Sequence, residues 1–235
     1  VDFPWVDGSR RRLDRSLLEA MRQGGASTLY AGYETIDEAT AAQWRKGYRG
    51  PGGLRERLLE DTRVLHEYGF WIHGMFVVGP EHTDETVDQI VEFSRRARLD
   101  SMQTSILTPL PGTPLFEQMR PHLIFTDFPE DWDFYDGVHC VYEHSRMGVR
   151  RLQEALLEAH RRFYRGYGWS LRRIRDVLGA KAALKARLQW AWSTAQTARK
   201  ALREWEEETK AFLELVRARR PGALAPQSVP PGLSA

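Results

Sequence analysis

Cysteine is almost missing from this sequence: Cys140 is the one thiol in 235 residues. No intrachain disulfide can form, and a cytoplasmic setting is the expectation. Long hydrophobic runs are missing too. No stretch approaches the roughly 20 apolar residues that a membrane-spanning helix needs, and the opening VDFPWVDGSRRR has no apolar core of a signal peptide. Nor does one sign of charge dominate. The 34 Lys and Arg against 32 Asp and Glu leave a formal net charge of +2, too little to point to nucleic acid, and no nucleic-acid partner is expected. Hydrophobic residues at 42% and charged residues at 28% describe an ordinary globular chain. Its length suits one sizeable core, or a core plus an accessory segment. It begins at Val1 within strand-like sequence, which reads as a cut end.

What is present is regular. Leu13, Leu17, Leu18 and Met21 fall at helical spacing before Gly24-Gly25, and STLYAGYE (27–34) follows as a β-rich run. A short helix is expected over 37–47, from Asp37 to Gly47, and a longer one over 54–68, closed by Gly69. FWIHGMFVVG (70–79) has the length of a buried strand. TDETVDQIVEFSRRARL (83–99) carries Val87, Ile90, Val91 and Phe93 on one side with acids in its first turn, and DSMQTSILT (100–108) is a third strand. Strands alternating with helices imply right-handed βαβ units and a parallel sheet.

In such sheets ligands sit beyond the carboxyl ends of the strands. All three predicted strands end in unusual sequence: Gly32-Tyr33-Glu34-Thr35, Gly79-Pro80-Glu81-His82, and Thr108 through Pro114. The last has three prolines in six residues, which excludes a central strand and a helix interior and leaves a rigid loop with few N–H donors. Singly, each feature has a plain structural reading. Glu34 could cap the next helix, Gly74 and Gly79 could serve packing or a turn, and His73 and His82 could be core or surface histidines, since no ligand-like spacing surrounds them. Placed together on one rim, they indicate a site.

GYETIDEATAAQWRKG, GMFVVGPEHTDET and SILTPLPGTPLFEQM, in that order, resemble the strand ends of radical S-adenosylmethionine (radical SAM) enzymes. DWDFYDGVHCVYEHSRMGVRRLQEALLEAHRRFY continues the likeness, which covers residues 1–168 and is nearest to the branch associated with cobalamin-binding domains. The resemblance implies the C-terminal half of a partial (β/α)6 TIM-like barrel followed by a mostly helical extension. It implies that Tyr33 and Glu34 face the ribose or amino-acid part of SAM, and that Phe76 and Val78 lie against adenine. Gly79 would admit close backbone approach, and Leu107, Thr108 and Pro109 would wall the nucleoside. Trp132, Tyr135, Asp136 and His139 become candidate contacts to a small-molecule or lipid-like substrate. The family holds a [4Fe–4S] cluster on three cysteines, and this chain has one. It should therefore be inactive alone, with cluster and any cobalamin bound by a missing N-terminal half or a complementary chain. Cys140 reads as a small buried apolar residue. An unpaired edge strand would leave the chain alone poorly soluble or partly molten.

The expected divisions are 1–120 for the barrel part, 121–168 for a substrate-side connection and helix, 169–220 for a basic amphipathic extension and 221–235 for a disordered tail. From Trp169 to Arg220 there are 13 Lys and Arg against 6 Asp and Glu, a net of +7. Two other readings stand beside the enzyme portion: a cluster-less nucleoside-binding or partner-binding module, and a protein that meets a membrane surface or scaffold through the helix at 181–219.

Overall fold

A computed structural model describes residues 13–44, 53–165 and 183–226. The predicted strand tail before residue 13, the helix stop at Gly47 and the end of the predicted tail lie outside the described residues. Helix α1 (Arg15–Gln23) opens at Asp14, whose carboxylate accepts the Leu17 N–H at 3.1 Å, and closes at Gly24. Then follow β1 (Thr28–Glu34), α2 (Glu38–Gln43), α3 (Leu54–Glu67), β2 (Trp71–Val78), α4 (Asp84–Arg96), β3 (Ser101–Ile106), α5 (Pro114–Met119), α6 (Gly148–Tyr164) and α7 (Leu184–Arg219). Asp37 caps α2 through the Thr40 N–H at 2.7 Å, Thr83 and Thr86 form a capping box on α4, and Thr113 caps α5 just before Pro114.

The architecture is α/β. The three strands pair in parallel in the order β1-β2-β3, with Thr28 opposite Trp71 and His73 opposite Ser101. Side chains alternate between two unlike faces. Leu29, Ala31 and Tyr33, then Ile72, Gly74, Phe76 and Val78, then Met102, Thr104 and Ile106 are buried on the face that α3, α4 and α6 cover. A side chain at Gly74 would run into Leu99, so that glycine is there for packing. On the other face Tyr30, His73, Met75, Val77, Ser101 and Gln103 stay at least partly exposed. On the outer edge of β3 the Tyr164 hydroxyl accepts the Met102 N–H at 3.0 Å and donates to its carbonyl at 2.9 Å. Among the described residues no strand pairs with the outer edge of β1.

After β3 the chain is mostly helical. The carboxyl part of α7 packs on α6, where Glu206 pairs with Arg161 and Trp205 meets His160 edge-on at 4.7 Å. Arg219 then reaches Asp131 at 2.5 Å and lies over Phe125. Beyond β3, Leu123 and Tyr142 form one isolated antiparallel bridge. The third strand stops at Ile106, two residues early, where the Gly137 carbonyl takes the Ile106 N–H at 2.7 Å. The long helix starts at Leu184, and residues 181–182 lie outside the described part. No described helix is long and apolar enough to cross a membrane.

Candidate functional site

Parallel strands bring their three carboxyl ends to one rim, and two of them end in the same device. At the end of β1, Glu34 has φ +58, a left-handed backbone uncommon outside glycine, beside a bulge between Gly32 and Glu34. Its carboxylate folds back over Gly32: a Cβ on that glycine would lie 2.7 Å from Glu34 Oε1. At the end of β2 a Cβ on Gly79 would lie 2.8 Å from Glu81 Oε2. Each Gly-x-Glu thus uses the missing glycine side chain as the seat of a carboxylate. Strained backbone of the kind seen at Glu34 collects at ligand sites.

The β2 loop is held from several sides. His82 Nδ1 accepts the Gly79 N–H at 2.7 Å, which leaves the proton on Nε2, 3.4 Å from Thr40 Oγ1. His144 Nδ1 accepts the Met147 N–H at 3.1 Å, so its Nε2–H donates to the Gly79 carbonyl at 3.1 Å. Ser145 donates to the Pro80 carbonyl at 2.8 Å. Both polar groups of Gly79 and the carbonyl of Pro80 are therefore fixed by side chains. Burial pushes both imidazoles down to about 4, with His144 adding to the effect at His82. Burial raises the Glu81 carboxyl, helped by the charge of Asp37. Glu81 Oε1 is enclosed without a hydrogen-bond partner among the described residues and stands 3.6 Å from His82 Nε2.

Tyr142 belongs to the same cluster. Its hydroxyl is buried without a hydrogen-bond partner among the described residues, and burial together with nearby Cys140 and Glu81 pushes its proton affinity far up. An unpaired buried hydroxyl costs free energy, so Tyr142→Phe should leave stability unchanged or raise it by up to about 1 kcal/mol in chemical denaturation. A loss of more than about 1 kcal/mol, the worth of a typical hydrogen bond, would mean that the hydroxyl has a working partner.

The predicted site residues divide. Glu34, Gly79, Leu107, Thr108 and Pro109 sit at the strand ends, with the Leu107 N–H on the Val78 carbonyl at 2.9 Å. Tyr33, Phe76 and Val78 do not offer side chains there. All three are fully enclosed on the helix-covered face, Tyr33 stacked on Phe76 at 5.3 Å with its hydroxyl bonded to Thr62. FWIHGMFVVG is apolar on both sides, so its alternation does not reveal which side faces helices. In the 128–146 segment, Trp132 is 53% exposed and stacks on Tyr135, whose hydroxyl donates to the Phe125 carbonyl at 2.6 Å. Asp136 caps the N–H groups of Val138 and His139 and pairs with the His139 ring at 2.9 Å. Gly137, bonded to Ile106, ties this loop to the end of β3. Cys140 is enclosed, its thiol donates to the Tyr142 carbonyl, and burial pushes it up to about 12. It offers no thiolate at neutral pH.

The motif around residues 131–164 contains Tyr142, His144 and Ser145 without marking them; His144 and Ser145 reach the β2 loop from far along the chain, and His73 joins Ser101 and Gln103 in a polar row on the open face. His73 bonds Ser101 at 2.7 Å and lies 4.9 Å from the ring of Tyr30. The repeated Gly-x-Glu at adjacent strand ends was the available signal for Glu81.

A parallel α/β unit with a carboxylate-bearing rim and one open sheet face is the class these features define. No family model matches the chain. It is similar to bacteriochlorophyllide d C-8(2)-methyltransferase of Chlorobaculum tepidum, 26% identical over 152 residues, 64% of this chain and 33% of that protein. An uncharacterized methyltransferase of Pyrococcus horikoshii is 25% identical over 167 residues, 70% of this chain and 35% of that protein. Anaerobic magnesium-protoporphyrin IX monomethyl ester cyclase of Cereibacter sphaeroides is 27% identical over 185 residues, 74% of this chain and 28% of that protein. The chain spans about a third of the length of the curated relatives it matches.

Proposed function

We propose that this chain is the SAM-binding and substrate-facing portion of a radical SAM enzyme, cobalamin-associated, that methylates or otherwise modifies its substrate by radical chemistry. The carrying observation is the rim: a strained Glu34 seated over Gly32 beside a β2 loop pinned at both polar groups of Gly79. Similarity to two methyltransferases supports the reaction class. The sheet is then part of a barrel, with the open face turned to its interior and the β1 edge paired with a strand of the missing half or of a complementary chain.

In this reading the residues divide their work by chemistry. The Glu34 carboxylate accepts hydrogen bonds from ribose hydroxyls or from the SAM ammonium. Adenine meets backbone rather than the side chains of Phe76 and Val78, with Leu107 and the stiff Thr108-Pro109 turn beside it. His82, His144 and Ser145 hold the Gly79-Pro80 turn in place, so that no ordering of the loop is needed on binding. Trp132, Tyr135, Asp136 and His139 stand on the substrate side, with Trp132 offering the exposed ring. A [4Fe–4S] cluster does not fit the residues present: the one cysteine is enclosed and its thiol is protonated. Cluster and cobalamin ligands belong to another segment or chain.

Equilibrium dialysis with labelled SAM tests this reading. The chain should bind SAM, and Glu34→Ala should weaken binding about tenfold, the effect of losing a charge-assisted hydrogen bond. No binding by the unaltered chain at millimolar SAM would remove it from consideration as the SAM-binding portion.

A further inference from the structure

The two ends of α7 are built differently. From Glu204 to Arg219 the helix carries five acids against three basic residues, and here Phe212, Leu213 and Val216 are buried. From Leu184 to Arg203 it carries Lys185, Arg187, Arg199, Lys200 and Arg203 and not one Asp or Glu. In that cationic stretch Leu184, Leu188 and Trp192 are exposed by 70%, 49% and 60%. Residues four apart sit about 40° apart around a helix, so these three form one continuous stripe. Lys185 and Gln189 join them in lining a shallow open groove. Arg199 and Arg203 continue the same side of the helix toward its centre. The side next to the stripe is the covered one, where Ala191 is fully buried.

We propose that the cationic half of α7 is a docking surface for an anionic lipid bilayer, in which Leu184, Leu188 and Trp192 enter the headgroup boundary while Lys185, Arg199 and Arg203 meet lipid phosphates. Charge complementarity selects this occupant. A second copy laid on the same stripe would set two acid-free cationic half-helices against each other, a like-charge arrangement that opposes association. A nucleic-acid face would carry its basic residues at the centre of the contact, whereas here the centre is Leu188 and Trp192 with the charges flanking them. Large apolar side chains bracketed by Lys and Arg suit an interface that is apolar a few ångströms beneath a negatively charged surface. A helix lying flat there needs no apolar run of membrane-spanning length, and α7 has none. The inference is independent of the rim site.

The test is co-sedimentation of the full chain with two kinds of vesicle, pure phosphatidylcholine and phosphatidylcholine with one lipid in three replaced by phosphatidylglycerol. The expected result is binding to the anionic vesicles at least about tenfold stronger than to neutral ones, weakened by salt because screening acts on the basic residues. Leu184→Ser with Leu188→Ser and Trp192→Ser should reduce binding about tenfold or more with far-ultraviolet circular dichroism unchanged, since all three side chains are exposed. Lys185→Glu with Arg199→Glu keeps the apolar stripe and should abolish the preference for anionic vesicles. Equal binding to both vesicle types, or no binding by a chain with its helical spectrum intact, overturns the proposal. So does a dimer in sedimentation equilibrium that the serine variant disrupts while vesicles stay unbound, or binding to duplex DNA that the serine variant leaves unchanged.

Discussion

Lowering the pH from 7 to 5 should reduce the melting temperature of this protein by roughly 5–15 °C, with two histidines as the main cause. His82 and His144 are buried and neutral, held at about 4 against an ordinary 6.5. Between those values the unfolded chain takes up protons that the folded chain refuses, so stability rises with pH through that window and levels off above about 6.5. At pH 5 each histidine accounts for on the order of 1–2 kcal/mol, and a domain of this size loses about 2–4 °C per kcal/mol. Burial lowers His160 in the same direction. Glu81 works the other way, because a raised carboxyl keeps its proton longer when folded and favours the folded state as pH falls. It opposes two imidazoles that must each give up a backbone bond to Gly79 or Met147 if they charge. Thermal melts of the unaltered chain and of His144→Gln between pH 5 and 8 decide the matter. The variant should melt lower at pH 8 yet lose less on acidification. A flat profile for the unaltered chain, or an unchanged slope in the variant, would show that the imidazoles do not carry the effect.

That histidine pair marks where the sequence stops being readable. The strand and helix order, the caps at Asp37, Thr83 and Thr113, and the rim itself follow from local rules, since capping residues, glycine stops and alternating segments act within a few positions of one another. His82 could be seen at the end of a strand, but its partnership with His144 is a long-range contact that no periodicity records. The two faces of β2 were equally opaque. His73 and Trp71 are the least apolar side chains of an apolar run, and only the packing of α3, α4 and α6 decides that Phe76 and Val78 lie beneath the sheet. The third strand ends at Ile106 for a similar reason: Gly137, from the loop beyond α5, takes the N–H that a longer strand would have used. Local chemistry placed the strand ends on one rim, and distant contacts decided which side chains face it.

Gly148→Ala should cost about 2–4 kcal/mol, among the largest losses available to a single methyl group in this fold. Gly148 opens α6 with φ +72, a backbone that any side chain strains by about 1 kcal/mol or more. The added Cβ would also lie 2.5 Å from the Ala225 carbonyl carbon and 2.7 Å from the Leu224 oxygen. Those are backbone atoms just after α7, and they cannot rotate aside as a flexible side chain would. Relief requires moving the 3-10 turn Pro221–Leu224, which buries Ala223 and follows the Arg219–Asp131 pair. Overpacking of this order typically costs about 1–3 kcal/mol on top of the backbone strain. The two contributions separate in a chain shortened after Gly222, where the clashing atoms are gone. There Gly148→Ala should cost only the backbone share, about 1 kcal/mol, measured by urea denaturation against the shortened parent. An equal loss in both lengths would place the whole effect in the left-handed turn and leave the C-terminal segment without a part in it. A full-length loss no larger than about 0.5 kcal/mol, the size of an ordinary surface substitution, would mean that this segment leaves Gly148 readily. Phe212, Val216 and Arg219 would then hold the end of α7 without it.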